Sequence, residues 1–146
     1  MDYTEKEPCA SLARVVECYW FLRGDGSQRE PRRIVPDGRT EVVLNFAQPL
    51  EQWTDGVWVG QPRFFFAGQI TGPLQLRPAG RFDIAGIRLR PAGARCLVGQ
   101  PMPAPGGRMI PLHELIPEFA HGFESAAQVG DERVKPGITL FRFITF

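Results

Sequence analysis

Six polar side chains stand out because each interrupts or adjoins an apolar run with strand character: Glu17, Asp37, Glu41, Asn45, Arg88 and Arg90. Successive side chains on a strand point to opposite faces, so Glu41 and Asn45 share one side and Arg88 and Arg90 share one side. A few polar groups converging on an apolar hollow is the usual make-up of a small-molecule site. Guanidinium forks in such a hollow suit a carboxylate or phosphate on the ligand. Trp20, on an apolar strand face, would supply a wall. The candidate ligand-binding set is therefore Glu17, Trp20, Asp37, Glu41, Asn45, Arg88 and Arg90. The plainer reading pairs Arg88 with Glu41 and Arg90 with Glu17 across a solvent-facing sheet and puts Trp20 in the core.

Other chemistries have less behind them. The two histidines, His113 and His121, lack the i, i+4 spacing of a helical metal pair, and no strand carries an H-x-H. Cys9, Cys18 and Cys96 are an odd number with no C-x-x-C, and none has a histidine close in sequence. There is no G-x-S-x-G, no G-x-G-x-x-G and no phosphate-cradling loop. No metal, cofactor or catalytic residue is expected on these grounds.

The elements that must position the polar set are short. Val15 to Leu22 reads as a strand with Val16, Cys18, Trp20 and Leu22 on a core-facing side. Ile34 to Arg39 reads as a turn, in which Pro36 pre-sets φ and Asp37-Gly38 tolerates a left-handed conformation. Thr40 to Ala47, Val57 to Val59, Arg63 to Ile70, Leu74 to Arg77 and Phe82 to Arg90 follow as strands. Residues 1–14 read as a lead-in and 48–62 as a loop carrying Trp53 and Trp58. Pro91 to Gly99 reads as a short helix, with proline near its start and glycine past its end. Pro111 to Gln128 is the longer helical candidate, with Leu112, Leu115, Ile116 and Phe119 on one stripe and Pro117 as a break. Gly137 to Phe146 alternates like a strand.

The composition fits this parsing. The chain has 146 residues, 17 Lys+Arg against 16 Asp+Glu, and 43% apolar residues, which describes one ordinary globular domain. Sixteen glycines and 14 prolines are scattered throughout, as in a mainly β domain of short elements and tight turns. The net charge of +1 argues against a nucleic-acid surface spread over the whole domain. No apolar run has the length of a membrane span. The polar, acidic N-terminus does not read as a signal peptide, and the expected location is the cytoplasm.

The blocks Val16-Glu17-Cys18-Tyr19-Trp20, Val35 to Phe46, Ala67 to Pro73, Ile84 to Ala94 and Pro111 to Leu115 stand in an order and spacing that resembles the N-terminal domain of one group of AraC-type bacterial transcriptional regulators. The resemblance spans roughly residues 8–120. It implies a cupin-like β-barrel of the double-stranded β-helix type, with one or two short C-terminal helices. It also implies a role in small-molecule sensing, dimerisation or both. The expected organisation is a sensor domain over 1–130 and an apolar tail, 131–146, as a possible added strand. The expected partners are an unidentified small molecule and a second copy or a partner regulator. The paired helix-turn-helix units of such regulators are not found after Gln128, so direct DNA binding is not expected of this chain. Two other classes fit the same residues. One is a small metal-independent cupin-like isomerase or lyase, with Glu17, Asp37 or Glu41 as base and Arg88 holding the substrate anion. The other is a stand-alone interaction module using its apolar tail.

Overall fold

The computed structural model describes residues 1–98 and 109–115. The chain divides into two units, Met1–Pro111 and Leu112–Phe146. The first holds ten strands among the described residues: β1 (Asp2–Lys6), β2 (Val16–Gly24), β3 (Arg32–Ile34), β4 (Thr40–Asn45), β5 (Leu50–Thr54), β6 (Val57–Gly60), β7 (Phe64–Ala67), β8 (Leu74–Pro78), β9 (Phe82–Leu89) and β10 (Met109–Pro111). It also holds the helix α1 (Pro91–Val98); a single helical turn, α2 (Leu112–Leu115), opens the second unit. The longer helix expected beyond Leu115, the 130/131 boundary and the apolar tail lie outside the described residues.

The strands form two antiparallel sheets. One runs β1-β2-β9-β4-β7-β10, the other β3-β8-β5-β6. The architecture is mainly β, as the turn-rich composition implies. The expectation of a closed barrel is corrected: among the described residues no strand is shared between the sheets and neither closes on itself.

Register decides which side chains meet. Across the large sheet, Glu5, Trp20, Gly86, Val43 and Phe65 form one rung, and Cys18, Arg88, Glu41 and Ala67 form the next rung on the same face. Leu22 and Ile84 continue that face. Its apolar part, Val43, Phe65, Phe82 and Ile84, packs with Trp20, Leu22, Leu50, Ala67 and Met109. The opposite face carries Tyr19, Val42, Leu44, Phe66, Ala85 and Ile87, all buried. Apolar character on both faces explains why β4 and β9 read as nearly unbroken hydrophobic runs.

The small sheet turns Ile34, Leu50, Leu74 and Leu76 toward the large one. Its other side carries the Arg77–Glu51 ion pair at 2.6 Å, with the Arg77 guanidinium 4.3 Å from the ring centre of Trp58. Two expectations change here. The segment 48–62, read as a loop apart from a strand at Val57 to Val59, is the β5–β6 hairpin, turned by Asp55 and Gly56 at φ 50° and 84°. That pair of left-handed residues makes the tight turn whose twist matches paired strands. The lead-in 1–14 contains β1, paired along its length with β2. Every residue of β1 is exposed, so backbone hydrogen bonds rather than a hydrophobic face hold it.

The remaining turns match their sequence signatures. Asp37 Oδ1 accepts a hydrogen bond from the Arg39 amide at 3.0 Å, and Gly38 takes φ 72°. Arg90 ends β9: its amide donates to Val15 O at 2.9 Å, its carbonyl accepts from the Ala94 amide at 3.1 Å, and its Nε donates to Ala13 O at 2.9 Å. It thus ties the loop before β2 to the start of α1.

Candidate functional site

Between the sheets lies a cavity of about 370 Å³. This is within the range of roughly 300–1,000 Å³ typical of small-molecule pockets. Leu22, Val43, Phe65, Phe82 and Ile84 line it from the large sheet, and Ile34, Leu50, Leu74 and Leu76 from the small one. These side chains fall on the inner faces by strand alternation alone.

One end of the cavity is polar. Glu41, on β4, stands directly opposite Arg88 on β9, and Arg88 Nε donates to Glu41 Oε1 at 2.9 Å. The same oxygen accepts from Trp20 Nε1 at 3.2 Å. Trp20 stands on β2, two strands from Glu41, with Gly86 between them. A Cβ built at Gly86 would fall inside the indole of Trp20. Gly86 is therefore required by close approach: the missing side chain lets the indole cross β9 and reach the carboxylate.

Further charges surround this pair. Arg88 Nη1 lies 3.5 Å from Glu5 Oε1, and the Tyr3 hydroxyl donates to that same oxygen. The Tyr3 ring stacks on Trp20 with centroids 6.5 Å apart. Arg39 pairs with Glu17. Burial acts to lower the pKa of Arg88, but the hydrogen bond and charge of Glu41 outweigh it and hold the guanidinium above its ordinary value. Burial, together with the bond to Glu5 and its charge, pushes the Tyr3 phenol up to about 12. Burial also raises the Cys18 thiol, against the lowering effect of the Arg88 charge.

The seven residues proposed from sequence separate cleanly. Trp20, Asp37 and Glu41 line the cavity. Arg88 stands behind Glu41, held between two carboxylates, so its fork faces protein partners rather than a ligand anion. The other three are engaged elsewhere in the fold. Glu17 sits where the β2–β9 register shifts, which turns its side chain to Arg39 and not to Arg90. Asn45 is buried, but it fixes its own turn: Nδ2 donates to Gln48 O at 3.1 Å and Oδ1 accepts from the Ala47 amide at 3.1 Å. Arg90 is bound to Ala13 O, past the end of the strand. The cross-strand pairing of Arg88 with Glu41 is present, on a half-buried face rather than a solvated one.

Sequence reasoning missed part of the second wall. Ile34 and Leu50 line the cavity from β3 and β5, segments read as a turn and a loop. The Asp55-Gly56 pair was the available signal, since such a dipeptide between apolar residues marks a hairpin. Arg39 was equally unremarkable in sequence and lines the polar end.

Among the described residues, no three His, Cys, Asp or Glu side chains cluster to hold a metal ion, and no helix is long and apolar enough to cross a membrane. A comparison with curated proteins finds no match, and a comparison with solved structures finds none either. The model of one family, described as a domain of unknown function (DUF6597), matches residues 4–111, a span that contains both sheets apart from the first two residues of β1, and every side chain of the polar end except Tyr3. The chain belongs to the DUF6597 family.

Proposed function

We propose that the unit Met1–Pro111 is a small-molecule-sensing module of the kind found in AraC-type regulators, with its ligand held between the two sheets. The observation that carries this reading is the cavity of about 370 Å³, apolar along its length and polar at one end. The sequence blocks that resemble those regulators support it by their location. Val16 to Trp20, Val35 to Phe46 and Ile84 to Leu89 supply β2, the Asp37 turn, β4 and β9, which build the large-sheet wall and the polar end. The double-stranded β-helix reading of the fold belongs to the same proposal. So does association with a second copy or with a partner regulator.

Native mass spectrometry of the purified chain, followed by a denatured run, tests the sensing role. The expected result is a reproducible excess mass that is lost on denaturation, whose value identifies the ligand. A bound ligand at about 100 times its Kd adds about 2.7 kcal/mol to stability, which thermal melting also detects. The variant Leu50→Trp fills the cavity from the small sheet. It is expected to fold and to lose both signals. Undiminished binding in that variant would place the ligand elsewhere and overturn the reading.

A further inference from the structure

β1 is the last strand on one side of the large sheet, and among the described residues no strand pairs with its outer edge. The amide and carbonyl groups that alternate along such an edge are a template for another extended chain. Every residue of β1 is exposed. Their order, Asp2-Tyr3-Thr4-Glu5-Lys6, carries opposite charges at its two ends. Neither Asp2 nor Lys6 has an ion pair among the described residues. Lys6 Nζ only stands 5.9 Å from the ring centre of Phe21.

We infer that this edge is an interface for a second copy, whose own β1 runs antiparallel to it about a two-fold axis through Thr4. The inference rests on the association with a second copy proposed above and gives it a surface. A two-fold axis perpendicular to the sheet keeps each face continuous, so only residues of the same face are opposed. With Thr4 at the axis, Asp2 of each copy faces Lys6 of the other, and Tyr3 faces Glu5. All of β1 is then paired. With Glu5 at the axis, Glu5 faces itself. With Tyr3 at the axis, Lys6 has no partner in β1. Opposite charges facing one another across antiparallel strands are stabilising, and like charges are destabilising. The charges therefore select the register that also uses the whole strand. The other edge strands offer less: β3 in its symmetric register opposes Arg33 to itself, and β6 and β10 carry no charge to fix a register.

Sedimentation of the whole chain, from micromolar to submillimolar concentration, measures self-association, and a dimer is expected. Lys6→Asp sets carboxylates against each other at both ends of the paired strands and is expected to weaken association at least about 10-fold. Asp2→Lys is expected to do the same, and the double variant Asp2→Lys/Lys6→Asp to restore it. Thr4→Cys, in a chain that also carries Cys9→Ser, is expected to form a disulfide between copies under mild oxidation, identified by peptide mapping. Residues opposed in antiparallel strands have Cα atoms about 4.5 or 5.5 Å apart, within reach of a disulfide. Circular dichroism first establishes that each variant is folded. Should a charge variant fail to fold, the Thr4→Cys cross-link decides the matter alone. A dimer that neither charge reversal weakens, or in which Thr4→Cys gives no cross-link, overturns the β1 surface and leaves association through another one. A chain that stays monomeric throughout overturns both the surface and the association. Neither result bears on the cavity, so the sensing role stands or falls by the mass released on denaturation.

Discussion

Gly86→Ala tests whether close approach, rather than any special backbone conformation, is what glycine supplies in β9. The added methyl falls inside the Trp20 indole, so the ring or the strand must move. Forcing an extra methyl into a packed site costs about 1–3 kcal/mol. If the indole swings away, strain falls but the bond from Nε1 to Glu41 is lost, and a hydrogen bond to a charged group contributes about 1.5–3 kcal/mol. Since displacement relieves the clash, the two costs do not sum, and the net expectation is about 2–3 kcal/mol. With a urea m-value of about 2 kcal/mol per M, the unfolding midpoint falls by about 1–1.5 M. Tryptophan fluorescence and near-ultraviolet circular dichroism follow the ring directly. The double variant Gly86→Ala/Trp20→Leu removes the clashing group, so its loss is expected to be smaller than the sum of the single losses by at least about 1 kcal/mol. An unchanged midpoint for Gly86→Ala, or strict additivity in the double variant, would refute the reasoning.

Three further outcomes are expected. The Glu41–Arg88 pair has both side chains 22% exposed, so Glu41→Gln is expected to cost about 1–2 kcal/mol, below the roughly 3–5 kcal/mol of a fully buried pair; urea midpoints of Glu41→Gln, Arg88→Gln and the double variant measure the coupling, and full additivity would show that the pair is not coupled. The hydrogen bond from Ser11 lowers the pKa of exposed Cys9 and burial raises that of Cys18, so iodoacetamide at neutral pH is expected to modify Cys9 well before Cys18, as peptide mapping would show. The sign for stability follows: a raised folded pKa stabilises fully below the unfolded value and is lost above it, so Cys18 and Tyr3 make the urea midpoint fall as pH rises from about 9 to about 12.

Much of the local structure was legible because it is driven by local rules. Cys18, Trp20 and Leu22 alternate with less apolar neighbours and form the inner face of β2, while the register shift at Glu17 puts Val16 opposite Leu89 on the other face. The Asp37-Gly38 turn follows from one residue that caps its own backbone and another that tolerates positive φ. Pro91 starts α1 where its missing amide costs nothing. The segments that escaped notice lack a hydrophobic signal. β1 is exposed throughout, and β3 opens on Arg32 and Arg33, so both strands exist through backbone pairing with a neighbour that sequence does not show.

The amino-acid sequence by itself determined a mainly β domain of short strands, the faces those strands present, and the presence of carboxylates and guanidinium groups on them. It also carried the family membership. Only the tertiary structure decided which charges neutralise one another. One register shift at Glu17 sends that carboxylate to Arg39 instead of Arg90. One missing side chain at Gly86 lets Trp20 join Arg88 on Glu41. Ion pairs and cavities depend on distances between strands far apart in sequence, and a register offset of a single residue exchanges the faces of a strand. That is why Arg88, read from sequence as an anion-binding fork, stands in the fold as the partner of Glu41.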